Sequence, residues 1–255
     1  MQVALALTTY GSEESADDFA SRLPPDLIPY APVLHRAGHW SRGRIIYPQL
    51  GGLSPESASV MVVVEQTIGG ATSGTEVRTL NVEVRRAGGR WQFERLISAG
   101  GEPVVPAEPL PAVALAVLAH PSIELPDSAR WDIAAGLVSE RLLDLLLRLA
   151  DRTTIGVVAL SAGHSWEIYG TPRQSDHSRG LAVDIYRLGD RLVIDDRAKG
   201  SATHSLVTWL YGQPEVARMG SPWALDGFGG RSFTDPLHQD HLHIAIGPEK
   251  ERLPE

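Results

Sequence analysis

The sequence predicts an α+β protein built as two unequal modules. Three observations carry this: amphipathic helix patterns and alternating strand patterns coexist in both halves; GGEPVVPAEPLP, between Gly100 and Pro111, reads as a linker; and six of the nine histidines fall between His164 and His243. The expected division is residues 1–105 as an α+β accessory module, 106–111 as the Pro-rich linker and 112–255 as the module that carries chemistry. At 255 residues, 43% hydrophobic and 21% charged, the chain can bury a core and is not disordered by composition.

Met1–Leu7 has no basic segment before it and is too short for a secretory apolar core, so no signal peptide is expected. From Val3 to about Leu23 the pattern suits a helix, closed by Pro24-Pro25, because proline lacks the amide donor and disfavours helix in the residue before it. A Pro/Gly-punctuated stretch follows, in which His35, His39 and Trp40 read as loop and packing residues. Three strands are expected at Ser59–Thr67, Val77–Arg86 and Trp91–Ile97, the last two joined by the hairpin signal Ala87-Gly88-Gly89. Alternation of Leu80, Val82 and Val84, and of Trp91 and Phe93, suggests one buried face. A helix followed by a curved antiparallel sheet is similar in outline to the nuclear-transport-factor-like cone fold.

Beyond the linker, Ala112–Ala119 reads as a short helix. Ser139–Asp151 (SERLLDLLLRLAD) is the strongest helix signal, with Ser139 as N-cap and Leu142, Leu145, Leu146 and Leu149 on one face. Ile155–Leu160 is a short β-branched run that suits a buried strand.

Composition narrows the chemistry. A net charge of −8 offers no general attraction to nucleic acid or anionic lipid, and no apolar run approaches the roughly 18 residues of a membrane span, so neither nucleic-acid binding nor an integral membrane protein is expected. Cysteine is absent, so any metal site must use imidazole and carboxylate.

Two clusters supply such ligands. In Ser175-Asp176-His177-Ser178-Arg179-Gly180-Leu181-Ala182-Val183-Asp184-Ile185, the aliphatic residues alternate with Asp184, which a strand would present on the opposite face from Val183 and Ile185. His177 sits in the incoming loop, which can fold it back beside Asp184. In His238-Gln239-Asp240-His241-Leu242-His243-Ile244-Ala245-Ile246, a second strand shows His241 and His243 on one face and Leu242, Ile244 and Ile246 on the other. Pairing the two strands would gather His177, Asp184 and His243, three N/O ligands with an open position, as catalytic zinc requires.

The spacing Ser175-x-His177-x-x-Gly180-x-Ala182-x-Asp184, followed by His241-x-His243, resembles a group of zinc peptidases. These include D-alanyl-D-alanine carboxypeptidases, phage endolysins and penicillin-insensitive murein endopeptidase, and the hedgehog signalling domain shares their fold. All five fixed positions of the first motif match, and the resemblance spans about residues 112–247. It implies a central antiparallel sheet flanked by helices, a Zn2+ cofactor held by His177, Asp184 and His243, and hydrolysis of an amide bond in peptidoglycan peptides, by endopeptidase or carboxypeptidase action. Asp240 stands where carboxypeptidase members carry their general base. His241 and His238 match histidines of the endopeptidase. His164, in Ser161-Ala162-Gly163-His164-Ser165, stands where carboxypeptidase members carry an arginine facing the oxyanion.

The expected catalytic set is therefore Asp240 or His241 as base and a protonated His164 or His241 at the oxyanion, with Ser175, His238 and Arg173 as substrate contacts. The implied partner is a peptidoglycan peptide, with the accessory module positioned to hold wall polymer or a protein partner. That substrate implies an extracytoplasmic or cell-envelope address, the alternative being cytoplasmic. The competing functional reading is a zinc-containing binding module without catalysis, as in hedgehog.

Overall fold

A computed structural model describes residues 1–106, 108–227 and 229–248; Ala107 of the expected linker and residues 249–255 of the expected second module lie outside the described residues. The fold is α+β, with one four-stranded antiparallel sheet and one larger mixed sheet.

The expected helix over Val3–Leu23 is two helices, α1 (Gln2–Thr8) and α2 (Ala16–Ser21). The break has a physical cause at each end. Tyr10 leaves the helix to exchange two backbone hydrogen bonds with Ser41, and Ser15 starts α2 with a capping box to Asp18. A 3-10 turn at Pro25–Tyr30 and the short α3 (Ala31–Leu34) then lead into the first sheet.

That sheet is a meander of β1 (His39–Leu53), β2 (Ser57–Gly70), β3 (Gly74–Ala87) and β4 (Arg90–Ser98). The three expected strands are present, but β1 occupies the stretch read as an irregular loop. Its Pro48 is tolerated because β1 is an edge strand, with register shifts at Ile45/Tyr47 and Leu50/Gly52. The β3–β4 turn uses Gly88 and Gly89 at φ 56° and 78°, as a tight hairpin of the primed type requires.

Both faces of this sheet are covered. Val62, Val64, Leu80 and Val82 pack on Leu7, Phe19, Leu27 and Leu34 of the helical layer. Met61, Val63 and Tyr47 on the opposite face pack on Val158, Ala159 and Tyr186 of the second sheet. The unbroken apolar run of β2 follows from this two-sided burial. Trp91, expected on a buried face, is 48% exposed.

The second part contains α4 (Ala112–Ala119), β5 (Ile123–Glu124), α5 (Asp127–Ala134), α6 (Glu140–Ala150), β6 (Ile155–Ala159), β7 (Ala182–Leu188), β8 (Arg191–Leu192), α7 (Ala202–Tyr211), β9 (Val216–Gly220), β10 (Ser232–Phe233) and β11 (Leu242–Ile246). The strand order is β10-β9-β11-β7-β6-β5, with β8 paired to β7. The central pairs β9–β11, β11–β7 and β7–β6 are antiparallel, as expected. The flanking β10–β9 and β5–β6 pairs are parallel, so the whole sheet is mixed.

Leu142, Leu145, Leu146 and Leu149 of α6 bury against Val183, Ile185, Leu242 and Ile244. Ser139 is the N-cap residue of α6, but its hydroxyl makes no capping bond; its backbone N–H donates instead to Gly180 O at 2.9 Å. The helices thus take one face of the second sheet, while Asp184 and Tyr186 point to the other face, toward the first sheet. No helix among the described residues is long and apolar enough to cross a membrane.

Candidate metal centre

β7 and β11 are neighbours, and their antiparallel register sets Asp184 opposite His243. The Ser175–Leu181 loop supplies the third residue. It closes on itself through Gly180 N–H to His177 O and Leu181 N–H to Asp176 O, both 2.9 Å, while His177 N–H donates to Ser175 Oγ at 3.2 Å. Gly180 holds φ +69°, and a Cβ there would lie 1.9 Å from Leu137 O, so only glycine fits this turn.

His177 Nε2 lies 3.1 Å from Asp184 Oδ1 and 3.1 Å from His243 Nδ1, and His243 Nδ1 lies 3.0 Å from Asp184 Oδ1. Ligands on a tetrahedral ion with bonds of about 2.0–2.1 Å stand about 3.3 Å apart, close to this triangle. His177 Nδ1–H donates to Leu160 O, which turns Nε2 toward the triangle and fixes its tautomer in the neutral ring. Two ring nitrogens and a carboxylate oxygen facing one another can share a cation as well as a proton, so the donor set fits a metal ion.

His164 stacks on His177 at 4.0 Å between ring centroids. Candidate ligand atoms of His164, His177 and Asp184 all lie within 4.8 Å of one another, a group that could hold a metal ion.

The close packing of these groups shifts their protonation. Burial disfavours charge on His177, yet the Asp184 carboxylate outweighs it and raises the pKa. Burial likewise pushes Asp184 up, but His177, His241 and His243 hold it well below the usual carboxylate range. Burial, only partly offset by Asp184, lowers His243 to about 4. Burial, followed by the neighbouring His177, lowers His164 to about 3. His164 is therefore held neutral, and the expected imidazolium at the oxyanion position is not what this environment provides. Its Nδ1 meets Ser165 O at 2.8 Å, which leaves Nε2 as an acceptor.

His241 and Asp240 form a pair, with His241 Nδ1 at 2.6 Å from Asp240 Oδ1. His241 Nε2 stands 3.9 Å from Asp184 Oδ2. The second Asp240 oxygen accepts Leu50 N–H at 3.1 Å, and Tyr47 OH donates to the Asp240 backbone carbonyl at 2.6 Å. Both carboxylate oxygens are thus engaged, and Asp240 orients His241.

Of the expected substrate contacts, Ser175 and His238 line a cleft of about 280 Å³ together with His164, His243, Arg218 and Asp235. His238 is held by Asp235 at 2.8 Å and lies over Gly220, where a Cβ would come within 2.4 Å of its ring. Asp235 is lowered to about 2: partial burial opposes this, but the His238 contact prevails. Arg173 is not in that cleft; it is exposed and lines a neighbouring one with Arg179 and Arg218.

Three groups escape sequence reasoning: Gln49, Tyr47 and the Leu50 amide, all on β1. Gln49 Nε2 donates to Asp184 Oδ2 at 2.6 Å. The usable signal was the period-two pair Tyr47 and Gln49, which share one face, interrupted in appearance by Pro48 and Gly51-Gly52, while the register shift at Ile45/Tyr47 turns Ile45 to the helical layer. Asp132 is a fourth, accepting the amides of Ser161 and Ala162 at 2.8 and 2.9 Å below the His164 turn.

Compared with protein-family models, with curated proteins and with solved structures, the chain matches none.

Proposed function

We propose that the chain is a zinc-dependent peptidase that hydrolyses an amide bond in peptidoglycan stem peptides or cross-links, with His177, Asp184 and His243 as the metal ligands. The observation that carries this reading is the triangle of ligand atoms 3.0–3.1 Å apart on a buried sheet face. The peptidoglycan substrate, the hedgehog-like arrangement of the second part and an envelope address rest on the resemblance of the two motifs. A bound Zn2+ would supply an acidified water and a positive charge for the carbonyl oxygen.

The chain's own groups divide the remaining work. His241 takes the proton from the attacking water, since its Nε2 faces Asp184 while Nδ1 is committed to Asp240. Asp240 holds that ring in place through the 2.6 Å contact to Nδ1. His164, neutral and stacked on His177, supports the ligand set, and Arg218 brings a cation to the cleft.

Incubation with purified muropeptides tests the proposal. H241A should slow release of new amine termini about 10²–10⁴-fold while keeping zinc near one per chain, and D240N should act in the same direction but less. An H241A enzyme with the full rate would remove His241 from the role of base.

A second reading, a zinc-containing binding module, is favoured by one observation: β1 covers the ligand set, leaving a cavity of about 30 Å³ between Gln49, Asp184 and the histidines. A zinc-loaded protein that is pulled down with sacculi yet releases no amine termini would establish it.

A further inference from the structure

Gln49 sits on β1, in the half of the chain to which the motifs assign no chemistry, and it is fully buried at 0% exposure. Its carboxamide reaches the candidate ligand Asp184, donating from Nε2 to Oδ2 at 2.6 Å. Its Oε1 is the buried side-chain N/O atom that has no hydrogen-bond partner among the described residues. Buried polar atoms are nearly always satisfied, and an orphan commonly marks an ion or a water. The residue also lines the cavity of about 30 Å³ that His164, Asp184, His238, His241 and His243 share. That volume suits one ion or one water.

Residues on both sides of Gln49 are tied to Asp240, one by its side chain and one by its backbone. Tyr47 OH donates to Asp240 O, and Leu50 N–H donates to Asp240 Oδ2. The amide is therefore held against the ligand set by three contacts, two from its neighbours and one of its own.

We propose that Gln49 is an additional ligand of the metal centre, its carboxamide oxygen taking the position that the histidine–aspartate triad leaves open. This rests on the metal reading above and deepens it. Three protein ligands leave a fourth position on tetrahedral zinc, and a neutral amide oxygen is an accepted donor to a divalent cation. With Gln49 bound, the centre is closed at rest, and water or a substrate carbonyl reaches the metal only by displacing it. The first sheet is then part of the metal centre and restrains it.

The test uses the full chain loaded with Co2+, whose visible absorption reports coordination, and azide as the competing ligand. Wild type should bind Co2+ and take up azide weakly. Q49A should keep Co2+, change its visible spectrum and bind azide about tenfold tighter or more, because water replaces the amide. Q49E keeps an oxygen donor and guards against a misfolded alanine variant. It should hold Co2+ and bind azide no better than wild type, because its carboxylate oxygen keeps the fourth position.

Identical spectra and azide affinities in wild type and Q49A, both loaded with Co2+, would leave the cavity to a water and overturn the assignment of Gln49 alone. A Q49E chain that takes up azide as tightly as Q49A would also overturn it. A wild-type chain that binds neither Co2+ nor Zn2+ would remove the metal reading itself, and this inference with it.

Discussion

Gly180 lies between the two candidate ligands His177 and Asp184, and replacing it with alanine perturbs the turn that brings them together. Its φ of +69° would cost an alanine about 1–2 kcal/mol. The added Cβ would stand 1.9 Å from Leu137 O, against a limit near 3.0 Å, so the Leu137–Ser139 segment must retreat by more than 1 Å. That retreat breaks the Ser139 N–H to Gly180 O bond of 2.9 Å, worth about 1 kcal/mol, and repacks the start of α6. Alanine's smaller unfolded-state entropy offsets at most about 1 kcal/mol. The expected net loss is about 1–3 kcal/mol, or roughly 3–12 °C in Tm for a chain of this size. Circular dichroism melts with and without Zn2+ read both effects. The loss should be accompanied by weaker zinc binding, because the turn sets the His177 ring. A G180A protein that melts within about 2 °C of wild type and binds zinc equally well would refute the idea that this left-handed turn positions His177.

Burial raises Asp132 to about 6 against the opposing amides of Ser161 and Ala162, so its folded value lies above its unfolded one of 3.8 and ionisation penalises the fold. The penalty is absent below about pH 4, grows to about 3 kcal/mol above pH 6, and should vanish in D132N, which keeps an oxygen for both amides. Melting curves should show D132N more stable than wild type at pH 8 and equal to it at pH 4; parallel pH profiles would contradict this. Saturating Zn2+ should stabilise the wild-type chain by about 4 kcal/mol when free metal is a thousand times Kd, and D184N should show little of that gain in a thermal shift. At Gly52 an added Cβ would meet the Tyr169 ring at 2.2–2.6 Å, and Tyr169 OH bonds Ser57 Oγ. G52A should therefore lose about 1–3 kcal/mol in urea denaturation, and an unchanged midpoint would mean that β1 does not pack tightly on that loop.

The candidate ligands were legible because their signal is local. Period-two alternation marks β7 and β11 and puts Asp184, His241 and His243 on chosen faces, and the glycine in the first motif allows the turn that returns His177. What joins those pieces to β1 is not local. Gln49 and Asp184 are 135 positions apart, and no periodicity in either segment encodes their contact. β1 itself was hidden by Pro48 and Gly51-Gly52, residues that usually end strands and are tolerated here at a sheet edge with register shifts. The helix over Val3–Leu23 failed for a related reason, since Tyr10 pairs with Ser41 and tertiary pairing overrides helical propensity.

The face of β7 that bears Asp184 carried a further clue. Tyr186 shares that face two residues on, and a metal site open to water would leave such a ring exposed. Instead it is buried and stacks on Tyr47 at 4.6 Å between centroids, with Met61 and Val63 beside it. The sheet of the first part therefore packs a core beside the candidate ligands as well as covering them. Deleting residues 1–105 would strip this layer from Val158, Ala159 and Tyr186 and release Asp240 from Tyr47 and Leu50. Loss of wall binding in such a truncation would report damage to the site as readily as loss of targeting. Single substitutions at the β1 contacts, which leave both sheets in place, separate the two.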